Sequence, residues 1–238
     1  MLLFYVRHGD PIYNPDSLTP LGRRQAEAVA HRLALYGVDK IYSSTSIRAR
    51  ETAQPTCEIL KKDPVLLDFC HENHAWADLA LDEENGQRRW AMDIPRFKRA
   101  FSSGEMLKLG SRWYEHPVCE GTRMKEGIDR IARETDALLA SLGYEHDREN
   151  SFYRAVRPND DRVALFAHQG FGLAFLSCVL DIPYPLMSTR FDMSHTGMTV
   201  IEFQQSEDFC LPRILSLAND SHLYREGLPT KYNNRLYF

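Results

Sequence analysis

Three short apolar runs in this sequence end on residues that can handle an anion. Leu2 to Val6 leads into Arg7, His8 and Gly9. Lys40 to Ser43 is followed, in the first turn of the next helix, by Arg48, and Arg162 to Ala167 leads into His168, Gln169 and Gly170. In an open α/β sheet, ligands bind beyond the carboxyl ends of the strands, so two histidines and two arginines are expected to meet at one rim. That set suits a phosphoryl group. Arginine stays charged and offers phosphate oxygens a rigid fork, helix N-termini present backbone N–H groups to an anion, and a neutral imidazole can attack phosphorus. A histidine that attacks must be neutral, whereas a second histidine beside the anion helps more when protonated. Proximity to the anion favours that state and burial among arginines opposes it. Strict alternation would send Arg7 and His8 to opposite faces, so the strand must already bend there. Gly9 is expected to let the chain turn sharply and to let the backbone fix one imidazole nitrogen.

The elements that must position these residues follow from periodicity. The first sixty residues read as a βαβα unit. Thr19 is the expected N-cap of its first helix, Pro20 takes the first helical position, and Leu21, Ala28, Leu33 and Leu35 form an apolar stripe up to Gly37. The second helix is expected to begin near Thr45 or Ser46 and to carry Arg48, Thr52 and Ile59, with Pro55 kinking it or delaying its start. Val65 to Asp68 reads as a third strand. Residues 70–118, rich in Trp, Arg, Glu and Asp without a period of two, read as an insertion over the sheet. Ile128, Ile131, Thr135, Leu138 and Leu142 return to helical spacing before Gly143, and 144–161 reads as a polar connection. Gly170 to Leu180 follows as an apolar helix, then strands at Thr196 to Phe203 and Arg213 to Leu217, and Tyr224 to Phe238 as a C-terminal extension. The expected fold is an α/β three-layer sandwich with a mostly parallel central sheet flanked by helices. It is a single domain over 1–238, with a lid or specificity insertion at about 70–118 over the C-terminal strand ends.

Composition narrows the function classes. The chain has 238 residues, 43% of them hydrophobic, and its 29 Lys+Arg against 33 Asp+Glu give a net charge of -4. No global field draws it to nucleic acid or anionic lipid. The apolar opening is too short for a signal peptide, no stretch approaches eighteen apolar residues, and five scattered cysteines contain no CxxC pair. A cytoplasmic protein with reduced thiols and no membrane partner is expected.

With these residues in view, the sequence resembles the histidine phosphatase superfamily, which includes the cofactor-dependent phosphoglycerate mutases. The opening motif stands here as Arg7-His8-Gly9, with Asn14 at the family's distance. Leu18-Thr19-Pro20-Leu21-Gly22 resembles its LTxxG helix start, and Ile41 to Ala53 resembles its IYSSPLxRAxxTA segment, with Thr45 and Ser46 in place of Pro and Leu. Phe166-Ala167-His168-Gln169-Gly170 resembles the second histidine motif, with Gln169 where many members have glycine. The resemblance implies that His8 is the nucleophile and forms a phosphohistidine, that Arg7, Arg48 and His168 surround the phosphate, and that Asn14, Gly9 and Gln169 add hydrogen bonds to substrate. No cofactor or metal is implied.

The leaving oxygen needs a proton, which the family takes from an acid after the third strand. Glu72 is the first choice, its pKa raised by partial burial, with Asp68 and then Asp78 behind it. Family mutases carry an Arg and a Tyr close behind this acid, whereas Glu72 is followed by Asn73, His74, Ala75 and Trp76. The reading is therefore a metal-independent phosphomonoester hydrolase with a small phosphorylated substrate. The alternatives are a cofactor-dependent phosphoglycerate mutase and a non-catalytic member that binds phosphorylated ligands or a partner protein. His71 and His74 have the spacing of two metal ligands but lack a third. Arg88, Arg89, Lys98 and Arg99 either grip the far end of an anionic substrate or lie on a solvated face. Trp76, Trp90 and Trp113 are expected in core or lid packing, and His195 has no assigned role.

Overall fold

The computed structural model describes residues 1–207 and 209–232; the last six residues of the C-terminal extension lie outside the described residues. Its central sheet contains β1 (Leu2–Arg7), β2 (Lys40–Ser44), β3 (Val65–Leu67), β4 (Tyr144–Asp147), β5 (Phe152–Ala155), β6 (Arg162–Ala167), β7 (Met198–Ser206) and β8 (Phe209–Asn219), in the spatial order β3-β2-β6-β1-β7-β8-β5-β4. The half containing β3, β2, β6 and β1 is parallel, and the pairings from β1 outward to β4 are antiparallel. β6 inserts between β1 and β2, which precede it in sequence. The strand order therefore switches where β1 and β6 lie side by side, the place an open α/β sheet offers a ligand.

Alternation along β1 and β6 builds a layer on each face. Phe4, Val6, Ala164 and Phe166 pack with Val29, Leu33 and Ala53 of helices α1 (Pro20–Tyr36) and α2 (Ile47–Leu60). Leu3, Tyr5, Val163, Leu165 and Ala167 join the larger core on the other face. Three further helices enter that core: α3 (Glu72–Leu79) through Ala75 and Leu79, α4 (Met124–Ser141) through Ile131 and Leu138, and α5 (Gln169–Leu180) through Phe171 and Phe175. Strands buried on both faces are apolar throughout, which is why the short runs were legible.

Two local expectations change. α2 runs through Pro55 as a 14-residue helix; its start is fixed by Ser46, whose side chain accepts from the Ala49 N–H. Residues 144–161 are not merely a polar connection, because Tyr144 and Tyr153 are buried and anchor the β4–β5 hairpin at the sheet edge. The polar His146 between them is accommodated by carboxylates, 3.0 Å from Asp136 Oδ1 and 2.9 Å from Asp181 Oδ2.

The 70–118 segment holds α3, a small hairpin pairing Ala80–Asp82 with Arg88–Trp90, and two short helices at Pro95–Phe101 and Gly104–Leu109. It is sewn into the main core by Phe97, Phe101, Met106 and Trp113. Among the described residues, no helix is long and apolar enough to cross a membrane.

The end of β1 is pressed against the start of α1. A Cβ on Gly9 would stand 2.6 Å from the Gly22 carbonyl oxygen, so it is this close backbone approach, rather than a turn at positive φ, that calls for glycine here. Gly9→Ala is expected to destabilise the fold by about 1–3 kcal/mol through overpacking, read as a lower urea midpoint; an unchanged midpoint would contradict the contact.

Candidate active site

The parallel register sets Arg7 of β1 beside Ala167 of β6, and Phe166 beside Ser43 of β2. His8 and His168 therefore leave neighbouring strands at the same level, and their ring centroids are 5.2 Å apart. β1 ends at Arg7, and the His8 N–H still donates to the Ala167 carbonyl at 2.9 Å. Both Arg7 and His8 line one cleft of about 650 Å³, together with Tyr13, Asp16, Arg48, His71, Glu72, Asn73, Trp76, Trp90, Gln169 and Gly170.

His8 is buried, and its Nδ1 is 2.7 Å from the Gly9 carbonyl oxygen. A carbonyl only accepts, so Nδ1 carries the proton and Nε2 keeps its lone pair. The Gly9 N–H donates to Thr52 Oγ1 at 3.0 Å, and that hydroxyl donates to the Arg48 carbonyl at 2.7 Å. The loop that carries His8 is thus tied to α2, the helix that carries Arg48. Burial, then the charges of His168, Arg7 and Arg48, hold His8 well below the ordinary histidine value; its bond to Gly9 opposes this only in part.

His168 is fully buried at the N-terminus of α5. Its Nε2 lies 2.9 Å from Ser44 Oγ and 3.3 Å from Ser46 Oγ. Its Nδ1 is 3.2 Å from Glu72 Oε2 but outside hydrogen-bond alignment. Burial, followed by Arg48, His71 and Arg7, lowers its pKa strongly too. Of the two opposing influences weighed for His168, burial among arginines is the one present in the fold. Its backbone is clamped by Tyr5 of β1, whose hydroxyl donates to the His168 carbonyl at 2.6 Å.

Each guanidinium has one anchor within the protein. Arg7 Nη1 donates to the Met193 carbonyl, and Arg48 Nη1 donates to Asp16 Oδ1 at 2.8 Å. Asp16 Oδ2 also accepts from the Ile47 N–H at 2.7 Å, so one carboxylate orients the arginine and occupies the first turn of α2. Arg48 lies over the Tyr13 ring at 5.5 Å. The Nε groups of Arg7 and Arg48 are buried without a hydrogen-bond partner among the described residues. Buried guanidinium donors without partners are costly, and an oxyanion in the cleft is the natural acceptor.

Glu72 opens α3 and reaches across to α5, where its Oε1 accepts from the Phe171 N–H at 3.2 Å. It alone of the three acids considered lines the cleft. Asp68 is exposed and bound to Thr45 and His74, while Asp78 is buried in ion pairs with Arg123 and Arg130. Gln169 and Gly170 line the cleft, Gln169 donating to Asp192. Asn14 is exposed and outside the lining; Tyr13 and Asp16 from the same loop stand there instead. Gly9 acts through its backbone, beneath His8.

His71 and His74 do not converge on a common point. His71 Nδ1 accepts from the Asn73 N–H at 3.2 Å, and His74 Nε2 is 2.9 Å from Asp68 Oδ2. Among the described residues no group of three or more His, Cys, Asp or Glu is gathered for a metal ion. Trp113 is core, as expected, but Trp76 and Trp90 form part of the cleft wall. Sequence reasoning missed Tyr5, Ser44, the role of Ser46 at His168, and His195, whose ring lies 5.9 Å from that of His8; a salt bridge from Arg48 to Asp16 was a reading that the sequence allowed, and it is present. Tyr5 was signalled by a polar hydroxyl inside an apolar strand, which must find a buried partner.

Residues 3–140, more than half of the chain, match the sequence model of the histidine phosphatase superfamily (branch 1). A Hydrogenobacter thermophilus protein with the provisional name phosphoserine phosphatase 2 is 26% identical over 153 residues, spanning 60% of this chain and 68% of that protein. A phosphoserine phosphatase from Entamoeba histolytica, solved with 3-phosphoglyceric acid, superposes with a TM-score of 0.59 at 21% identity, covering 93% of this chain and 98% of that one. A mycobacterial glucosyl-3-phosphoglycerate phosphatase gives 0.59 at 21% identity, covering 91% and 98%. At such identities the two solved structures establish the fold.

The depressed histidines make stability depend on pH. The unfolded chain takes up protons on His8 and His168 near their ordinary value of 6.5, whereas the folded chain resists until well below it. Their contribution to stability is therefore present above about pH 6.5 and lost as pH falls through the window below it. The urea midpoint is expected to drop between about pH 7 and about pH 5.5, and histidine-selective NMR at about pH 6 should find His8 neutral with its proton on Nδ1. A protonated His8 there would refute the electrostatic account.

Proposed function

The chain belongs to the histidine phosphatase superfamily, branch 1, and from that premise we propose that it hydrolyses phosphomonoesters through a phosphohistidine on His8, without a metal ion. The observation that carries the reading is the fixed tautomer of His8: Gly9 holds Nδ1–H at 2.7 Å, which leaves the Nε2 lone pair to attack phosphorus. Further support comes from the phosphatase names of the similar proteins.

In the first step Nε2 bonds to phosphorus and the ester P–O bond breaks, its electron pair going to the leaving oxygen. Protonated Glu72 gives that oxygen its proton. Arg7, Arg48 and the backbone N–H groups opening α5 stabilise charge on the equatorial oxygens, the positive field a metal would otherwise provide. His168 borders both the acid and the nucleophile, its Nδ1 3.2 Å from Glu72 Oε2 and its ring 5.2 Å from that of His8. In the second step Glu72, now a carboxylate, takes a proton from water as the water oxygen attacks phosphorus. The P–N bond breaks, the pair returns to Nε2, and inorganic phosphate leaves. The 70–118 segment, which supplies Glu72, Trp76 and Trp90, serves as the specificity insertion of a single catalytic domain.

Hydrolysis of p-nitrophenyl phosphate in EDTA is expected to persist in the native protein. His8→Ala should lower it by on the order of 10³-fold or more, with retained activity removing His8 as nucleophile. Arg48→Ala should lower kcat/KM by about 10²-fold, roughly 3 kcal/mol of transition-state stabilisation; an unchanged value would count against that role. Glu72→Gln should slow alkyl phosphates more than p-nitrophenyl phosphate, whose leaving group needs no proton. Equal losses would assign the proton to another group.

A further inference from the structure

The inner end of the cleft is cationic and its outer part is aromatic. We infer that the natural substrate is a phosphomonoester of a planar, uncharged alcohol, aromatic or heterocyclic, whose leaving group lies against Trp76 and Trp90. This rests on the phosphatase reading and names the substrate class of that same site.

The two indoles pack edge to face with centroids 4.9 Å apart, and both line the cleft, as does Tyr13. Trp90 reaches the catalytic end. A Cβ on Gly170 would stand 2.6 Å from Trp90 Cζ2 and Cη2, and 2.6 Å from Glu72 Oε1. The aromatic wall therefore touches the backbone two residues beyond His168, beside the carboxylate that protonates the leaving oxygen. A group bonded to that oxygen begins against the indole, where a flat ring makes face or edge contacts that a short polar chain does not.

Charge argues the same way. Arg7 and Arg48 are the arginines in the lining, no lysine joins them there, and both serve the phosphoryl end. His71 is held below its ordinary value, by burial first and then by Arg48. Arg88 and Arg89 flank Trp90 but are turned away from the cleft. Arg88 binds Asp82 and the Trp76 and Ala77 carbonyls; Arg89 binds Glu83 and the Asp93 carbonyl. Lys98 and Arg99 are exposed outside the lining. A second anionic group on the substrate would lose hydration among Asn73, Asp16 and the indoles, where no outer cation lines the cleft among the described residues. Carboxylated esters of the kind bound by the Entamoeba histolytica neighbour fit this cleft poorly.

The test compares kcat/KM for 2-phenylethyl phosphate, phosphoserine and 3-phosphoglycerate with the full chain, all three being phosphates of primary alcohols. The aryl-bearing ester is expected to be favoured by about tenfold or more. Trp76→Leu and, more conservatively, Trp90→Phe should shrink that preference, mainly by raising KM for the aryl-bearing ester. Equal or better turnover of either carboxylated ester, or a preference unmoved in both variants, overturns the inference. No turnover of any ester together with no phosphoryl label on His8 overturns the hydrolase reading itself.

Discussion

Two imidazoles and two guanidiniums are crowded, largely out of water, at one end of a parallel sheet. Four groups able to carry the same sign of charge cannot all be charged at low cost there. The arginines hold their protons, so the histidines give theirs up, and burial pushes in the same direction. A neutral His8 is thus a consequence of where the side chains sit. The surrounding structure can be understood as the set of contacts that makes this convergence tolerable.

Those contacts come from different elements, and each does more than one job. Asp16 orients Arg48 and occupies the first turn of α2. Thr52 connects the backbone of the loop that carries His8 to the same helix. Ser44 and Ser46 give His168 Nε2 polar neighbours, and Tyr5 fixes the backbone of His168 from beneath. The lack of a Cβ at Gly9, Gly22 and Gly170 allows strand, helix and cleft wall to approach closely. The site is held by strand ends and helix N-termini, which are stiff, and it inherits their precision.

The remaining wall comes from the inserted segment, and its physical character differs. Glu72 projects from the first turn of α3 and meets α5, so the acid is delivered by an element that is not part of the sheet. Trp76 follows on the same helix and Trp90 comes from the neighbouring hairpin. The basic residues of that hairpin are consumed by its own carboxylates and carbonyls. One segment thus combines an acid at the reacting centre with an aromatic, cation-poor surface beyond it.

The sequence by itself determined the βα rhythm, the three strand-end motifs and hence the rim where Arg7, His8, Arg48 and His168 gather, because buried parallel strands are continuous apolar runs and ligands lie at their carboxyl ends. Glu72 was legible only through the family resemblance, as the first choice among the acids around and after the third strand. What depended on distance in space was not. Asp16 and Arg48 are far apart in the chain, and although their pairing could be weighed from the sequence, only packing decides that it takes place at the cleft and not on the surface. The choice among Glu72, Asp68 and Asp78 turned on which of them faced the cleft and which were bound elsewhere. Trp76 and Trp90 became cleft wall, not core, because α3 and its hairpin fold back over Gly170. The sequence left the arginines beside Trp90 open between anion ligands and a solvated face; in the fold they are held by Asp82, Glu83 and backbone carbonyls. Periodicity fixes which face a residue takes within its element; only the packing of elements decides what that face meets.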